Sequence, residues 1–260
     1  MVAKPLVKAR KAAIAETTDV SFAFQVRENK KMLMRCLKKT IYAALVPAAV
    51  FCLSVTTYAQ TICNDAGSSP ADCNTIGCPV PPGTTVPCDL IVPPNATCTL
   101  DNVIVTGSVS VEQGGCLNPT GKLMVGGNVN AYQAACLSLG FGSEVVGNLS
   151  ASGTTGNTPA HSFNFLCNSK VDGSVNIENS GAGAKWCIGY QGSPCDCAVG
   201  VTVGGSLTFD GNDGGGIIGN NTITGSLSCA NNSPPPTCNG SSTSCNNNTA
   251  SSKIGQCSSF

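Results

Sequence analysis

Val171-Asp172-Gly173-Ser174-Val175-Asn176-Ile177 is one of six copies of a unit written [Val/Ile]-x-Gly-[Ser/Asn]-[Val/Leu]-polar. The other copies start at Val105, Val125, Val145, Val203 and Ile223 and carry Gly107, Gly127, Gly147, Gly205 and Gly225. Successive glycines are 20, 20, 26, 32 and 20 residues apart. A period near 20 is that of a solenoid, whose units are too short to bury an apolar face until the next unit stacks on them. Apolar and polar residues alternate within the unit, the period of a strand with one buried face. The expected fold is all-β, a right-handed parallel β-helix of about six rungs with disulfide-rich end caps, rising about 4.8 Å per rung. The fixed glycine marks either a bend with positive φ or a close approach of neighbouring backbones. Residues His161 to Cys167 and Gly181 to Cys197 fill the longer intervals and are read as loops leaving one side. An antiparallel sandwich is the alternative. The regular period favours the solenoid, and so does an aromatic content of only 5%, because a narrow interior suits Val, Leu and Ala better than Trp.

Outside the repeat the chain changes character. Residues 1–31 hold 7 of the 14 basic residues and read as a leader or a mis-called extension. Residues 32–59 combine a basic start, an apolar run from Ile41 to Val55 and the small-x-small end Thr57-Tyr58-Ala59, the pattern of a secretory signal peptide cleaved after Ala59. That run is too short for a comfortable membrane span of about 20 residues. Export implies a secreted, periplasmic or cell-surface protein, with no transmembrane segment in the mature chain.

The mature chain, 60–260, has four lysines, no arginine and eleven acids, a net charge of −7. Nucleic-acid binding needs a basic footprint that these residues do not supply. Removing Cys36 and Cys52 with the leader leaves 15 of the 17 cysteines, which in an exported protein reads as a disulfide framework. The odd count implies a free thiol, an intermolecular bridge or unpaired core cysteines. Residues 60–97, with Cys63, Cys73, Cys78 and Cys88 among several prolines, are read as an N-terminal cap. The solenoid is expected over 98–229, and 230–260 as a C-terminal cap or tail, with Cys229 and Cys257 paired. Cys116 and Cys136 each lie 11 residues before a repeat glycine and should stack on adjacent turns, as a disulfide or as part of a thiol ladder.

The repeated Val-x-Gly-Asn/Ser-Val units, the opening Val92-Pro93-Pro94-Asn95-Ala96-Thr97-Cys98-Thr99-Leu100 and the closing Gly255-Gln256-Cys257 resemble a group of secreted bacterial proteins of uncharacterised function. The resemblance covers roughly residues 88–257. It implies a right-handed β-solenoid and supplies no catalytic residues. A more distant likeness to polymer-forming bactofilins is countered by the signal peptide and the cysteines.

Chemistry is sparse. A lyase of the β-helix type wants a basic catalyst and calcium carboxylates, and the mature chain has no Arg. A glycoside hydrolase wants carboxylates on one face, whereas Glu112, Glu144 and Asp172 show no common face. His161, the single histidine, lies in an insertion, and serine is too common for a triad to carry meaning. Asp210, Asn212 and Asp213, in a glycine-rich turn, are the candidates for Ca²⁺, against a plain Gly/Asn turn. Trp186 and Tyr190, with Tyr132 elsewhere, are the candidates for stacking on a glycan, against a local plug pinned by Cys187, Cys195 and Cys197. The resulting expectation is an exported structural or surface-interaction (adhesin-like) protein without catalytic activity. Its partner would be a cell-surface glycan or another copy meeting it at the solenoid ends. A carbohydrate-binding module or a polysaccharide-active β-helix enzyme is the alternative.

Overall fold

The computed structural model describes residues 78–156, 163–243, 245 and 247–260. The leader, the signal segment, Cys63, Cys73 and His161 lie outside the described residues. All regular structure among the described residues is β, arranged as three parallel sheets. The first sheet stacks Thr85–Val86, Val103–Val105, Leu123–Val125, Ser143–Val145, Ser169–Val171, Val201–Val203 and Thr222–Ile223. The second stacks Leu90–Val92, Val109–Val111, Val129–Tyr132, Leu149–Ser152, Val175–Glu178, Leu207–Asp210, Ser226–Ala230 and Ser252–Gly255. The third stacks Thr97–Cys98, Cys116–Leu117, Cys136–Leu139, Phe163–Leu166, Lys185–Ile188 and Gly216–Ile218. The chain visits the three sheets in turn, so each strand pairs with its counterpart one circuit later, as in a β-solenoid.

The interior is built from aligned rows. In the first sheet Val86, Val105, Val125, Val145, Val171, Val203 and Ile223 are in register and buried. In the second, Leu90, Val109, Val129, Leu149, Val175, Leu207 and Leu227 form a second buried row. Each such side chain stabilises the fold by roughly 1.5–3 kcal/mol relative to exposure, an upper figure because the unfolded chain is not fully extended.

The repeat unit turns out to span a corner rather than one strand. Val171 ends a strand of the first sheet and Val175 begins a strand of the second, with Gly173 at the bend. Both valines face inward, so alternation alone does not distinguish a straight strand from two strands meeting at a corner. The glycine has a steric cause. A Cβ on Gly173 would lie 2.4 Å from Asn148 Oδ1 and 2.6 Å from the Gly147 carbonyl oxygen of the preceding turn. The Ser/Asn after each glycine does the crowding, because its side chain reaches the next turn. Asn128 Oδ1 accepts the Asn148 N–H at 2.8 Å, Asn148 Oδ1 accepts the Ser174 N–H at 2.8 Å, and Ser174 Oγ accepts the Ser206 N–H at 3.2 Å. Close approach, not positive φ, therefore fixes the glycine.

The corner after the second sheet follows another rule. Asn95, Gly114, Gln133, Gly153, Asn179, Gly211 and Asn231 have φ between 48 and 72°. Asn and Gly tolerate this region best, and glycine alternates with a longer side chain up the column. A Cβ on Gly211 would meet Asn179 Oδ1 at 2.8 Å, and one on Gly153 would meet Gln133 Cγ at 3.2 Å. Each amide side chain thus takes the space that its neighbour's Cβ would need.

Beside that corner runs a buried polar ladder. Thr154 Oγ1 donates to Ser180 Oγ at 2.8 Å, Ser180 N–H donates to Asn212 Oδ1 at 3.0 Å, and Asn212 N–H donates to Asn232 Oδ1 at 3.0 Å. Gln256 ends the series by accepting the Asn232 N–H at 3.0 Å and donating to its carbonyl oxygen at 3.0 Å. Every member is satisfied, as a buried polar group must be.

Three expectations need correction. The stack begins before residue 98: Val86-Pro87-Cys88-Asp89-Leu90 occupies the corner of a further unit, and Asp89 Oδ1 accepts the Ser108 N–H at 2.7 Å. The segment after 229, expected as a cap or a tail, is an ordered continuation of the stack rather than a loose tail. Thr237 pairs with Ile217, Thr249 with Thr222, and Ser252–Gly255 with Ser226–Ala230, so it follows the same three-sided path. The interior also accepts large rings: Trp186, Phe209 and Phe260 are fully buried. Small neighbours make room, since Trp186 is in register with Gly216, and a Cβ there would meet the Phe209 ring at 2.8 Å.

Six disulfides join Cys78–Cys98, Cys116–Cys136, Cys167–Cys197, Cys187–Cys195, Cys229–Cys257 and Cys238–Cys245. Such density fits an oxidising compartment. Among the described residues no helix is long and apolar enough to cross a membrane.

Candidate functional site

The outer faces of the sheets differ. On the second sheet Ser110, Asn130, Ser150, Asn176, Thr208 and Ser228 form one register row of small polar side chains. On the third sheet the corresponding row is Ser138, Phe165, Cys187 and Ile217. An apolar row needs cover, and the segment between Ile188 and Val201 supplies it. The Cys187–Cys195 and Cys167–Cys197 bridges pin this segment to the strands beneath. It also folds on itself: the Cys195 and Asp196 N–H groups donate to the Gly192 carbonyl at 3.0 Å, and the Cys197 N–H donates to the Tyr190 carbonyl at 3.1 Å. Cys187, Cys195 and Cys197 form a buried cluster separate from the main core, with Phe163, Phe165, Cys167, Tyr190 and Ile217 packed on it.

The covering segment leaves a groove on each side. One has a volume of about 360 Å³ and is lined by Ser138, Phe141, Phe165, Asp196 and the Cys167–Cys197 bridge, among others. The second, about 310 Å³, lies against Phe163, Lys185, Pro194, Ile217 and Pro234, with Lys185 Nζ 5.9 Å from the centre of the Phe163 ring. In the first groove Phe141 is 62% exposed and holds φ at 57°, a rare backbone state for a bulky residue. Ser138 is 8% exposed, and its hydroxyl has no hydrogen-bond partner.

The residues singled out from sequence fall in several places. Trp186 is in the core, its indole N–H donating to Ser180 Oγ at 3.1 Å, so it presents no ring face to a ligand. Tyr190 is half-buried in the covering segment's cluster. Tyr132 is 63% exposed, on the second sheet. Asn212 is buried and its amide is engaged in the ladder, donating also to the Ile177 carbonyl at 3.1 Å. Asp210 accepts from Asn231 Nδ2 at 3.0 Å, and Asp213 is exposed. The three calcium candidates are therefore not gathered around one point, because Asn212 turns inward. Among the described residues no three His, Cys, Asp or Glu side chains are grouped to hold a metal. Cys116 and Cys136 are bonded across adjacent strands of the third sheet, and Cys229 and Cys257 are bonded near the C-terminal end.

Charged groups collect on the first sheet. Lys122 Nζ lies 2.8 Å from Glu144 and Lys170 Nζ 2.6 Å from Asp172. The hydrogen bond and charge of Lys122 hold the Glu144 carboxyl below its ordinary value, and Asp172 raises that of Lys170 in the same way.

Sequence reading missed Phe141, Phe165 and Ser138. The alternation Phe163-x-Phe165 carried a signal for an outward apolar row. It went unread because the third-sheet strands share no repeated motif.

The fold and this site define a three-sheet parallel solenoid with one loop-covered outer face. Comparison with protein-family models, with curated proteins and with solved structures found no match.

Proposed function

We propose that the chain is an exported, non-catalytic structural or surface-interaction protein of adhesin type, wound as a right-handed solenoid of about six full rungs. It would be secreted, periplasmic or held at the cell surface, and would belong with the secreted bacterial solenoids that its repeat resembles. The observation that carries this reading is the rigid stack itself. Neighbouring turns are stapled by Cys78–Cys98, Cys116–Cys136 and Cys229–Cys257, and they hold flat rows of side chains at strand spacing. Such a surface suits repeated, weak contacts with an extended partner. The test is retention of the exported protein on cell envelopes and on immobilised polysaccharides. Retention without release of soluble sugar is expected. Depolymerisation of the polysaccharide would move the assignment to the enzyme alternative. Full recovery in the wash would end the surface-interaction reading.

A carbohydrate-binding role is the second reading. It is favoured by the grooves beside the disulfide-pinned segment, because loops held on a rigid scaffold are where binding residues concentrate.

A further inference from the structure

We propose that the groove between Phe141, Phe165 and the Cys167–Cys197 bridge is a binding subsite for one ring of an uncharged saccharide. The subsite rests on the surface-interaction reading and gives it a specific address.

Its size is about 360 Å³, within the range of small-ligand pockets. Its walls are largely apolar, with Phe141 held out into solvent in an unfavourable backbone state. An exposed aromatic ring held by a strained backbone is a feature associated with ligand contact. Ser138 is the second observation. Two buried hydroxyls among the described residues have no partner. Ser169 is in register with Ser143 on a strand of the first sheet, whereas Ser138 lines the groove. A buried hydroxyl without a partner is costly and rare; Ser138 Oγ is closed off from solvent in the free protein, so a ligand hydroxyl satisfies it only after the groove wall shifts.

The combination selects the ligand class. A pyranose has an apolar C–H face, which suits an aromatic wall, and a rim of hydroxyls that both donate and accept. Ser138 Oγ can do either, and Asp196 at the groove edge can accept. Among the described residues Asp196 is the only ionisable side chain lining the groove apart from the bridged cysteines, so none of them pairs with an anionic sugar. Trp186, weighed from sequence as a glycan platform against part of a local plug, is part of the wall's foundation, buried on the strand next to that of Phe165.

The test is a titration of the exported full-length product with methyl glycosides of neutral hexoses and N-acetylhexosamines, followed by isothermal calorimetry and ligand-observed NMR. Methyl glucuronide and tetramethylammonium serve as charged probes. Saturable binding of at least one neutral glycoside is expected, with glucuronide at least tenfold weaker. Phe141→Ala should weaken it at least tenfold and Ser138→Ala several-fold, while Tyr132→Ala on the second sheet changes nothing. Phe141 is exposed, so F141A keeps the fold, which its unfolding midpoint checks. Binding that survives both F141A and S138A would overturn the subsite and leave the surface-interaction reading standing. Binding of tetramethylammonium in place of sugars would also overturn it, in favour of a cation cage. Failure to bind any glycoside, with continued retention on envelopes, again removes only the subsite. Failure of both removes the subsite and the reading it rests on.

Discussion

The second and third sheets are made by the same stacking and end with opposite surfaces. On the second sheet the outward row from Ser110 to Ser228 is small and polar, the turns are near-identical, and no described segment is pinned over the face by disulfides. On the third sheet the outward row is Ser138, Phe165, Cys187 and Ile217, and a disulfide-pinned segment lies over it. The inward rows of both sheets are equally buried. Regularity is therefore imposed by the interior and the corners, and specialisation is added only where an outward row breaks the pattern. That is why the candidate groove lies on the sheet whose strands share no sequence motif.

If both sheets hang on one interior, emptying the interior should damage both. Trp186→Ala leaves a large cavity beneath the third sheet and takes one of two hydrogen-bond partners from the Ser180 hydroxyl, which keeps Thr154. It should cost about 3–5 kcal/mol in chemical denaturation, with protection against hydrogen exchange lost in both sheets. Next comes the strap. Replacing Cys167 and Cys197 together by Ala should cost about 2–4 kcal/mol. Unlike the first change, it should open only residues 189–200 to proteolysis and leave exchange in the second sheet unaltered. An equal loss in the second sheet would break the comparison, because the covering segment would then be part of the main core. Asn212→Ala, in the ladder beside the second sheet, strips partners from the Ser180 N–H and the Ile177 carbonyl. A cost of about 1–3 kcal/mol is expected, read from the denaturation midpoint. The smallest effect belongs to the exposed ion pairs of the first sheet. The Glu144 carboxyl titrates below its ordinary value of 4.5 in the folded protein. Its contribution is therefore complete above the unfolded carboxylate's pKa and is lost as pH falls through the lower folded value. The acid limb of a thermal-stability profile for Glu144→Gln should be slightly flatter than that of the parent and otherwise superimpose on it.

Much of the fold was legible in the glycines, because the close approach that requires them recurs at six successive corners between the first and second sheets, from Gly107 to Gly225. The unit at Val86 to Leu90 was not, since Cys88 stands where later turns have glycine and Asp89 where they have Ser or Asn. Near the start of the described stack, that position meets no earlier Ser/Asn side chain among the described residues. The third strand of each circuit left little trace either. Thr97–Cys98, Cys116–Leu117 and Phe163–Leu166 share no residue pattern, and the first two are only two residues long. The choice between a glycan platform and a local plug at Trp186 stayed open for a related reason. A lone tryptophan in an insertion resembles an exposed ligand platform until its register partner, Gly216, is known to vacate the space beside it. The left-handed column was hidden by residue identity: Gln133, Gly153, Asn179, Gly211 and Asn231 keep the same spacing as the repeat glycines, but no one residue type recurs along them.

The central claim is that successive circuits of the chain stack in register as parallel strands, and the cysteines report on it directly. Peptide mapping of the unreduced exported protein by mass spectrometry should recover Cys116 joined to Cys136, Cys167 to Cys197 and Cys229 to Cys257, each pair linking neighbouring circuits. Bridges that skip circuits, such as Cys116 to Cys229, cannot form across the stack and would contradict it.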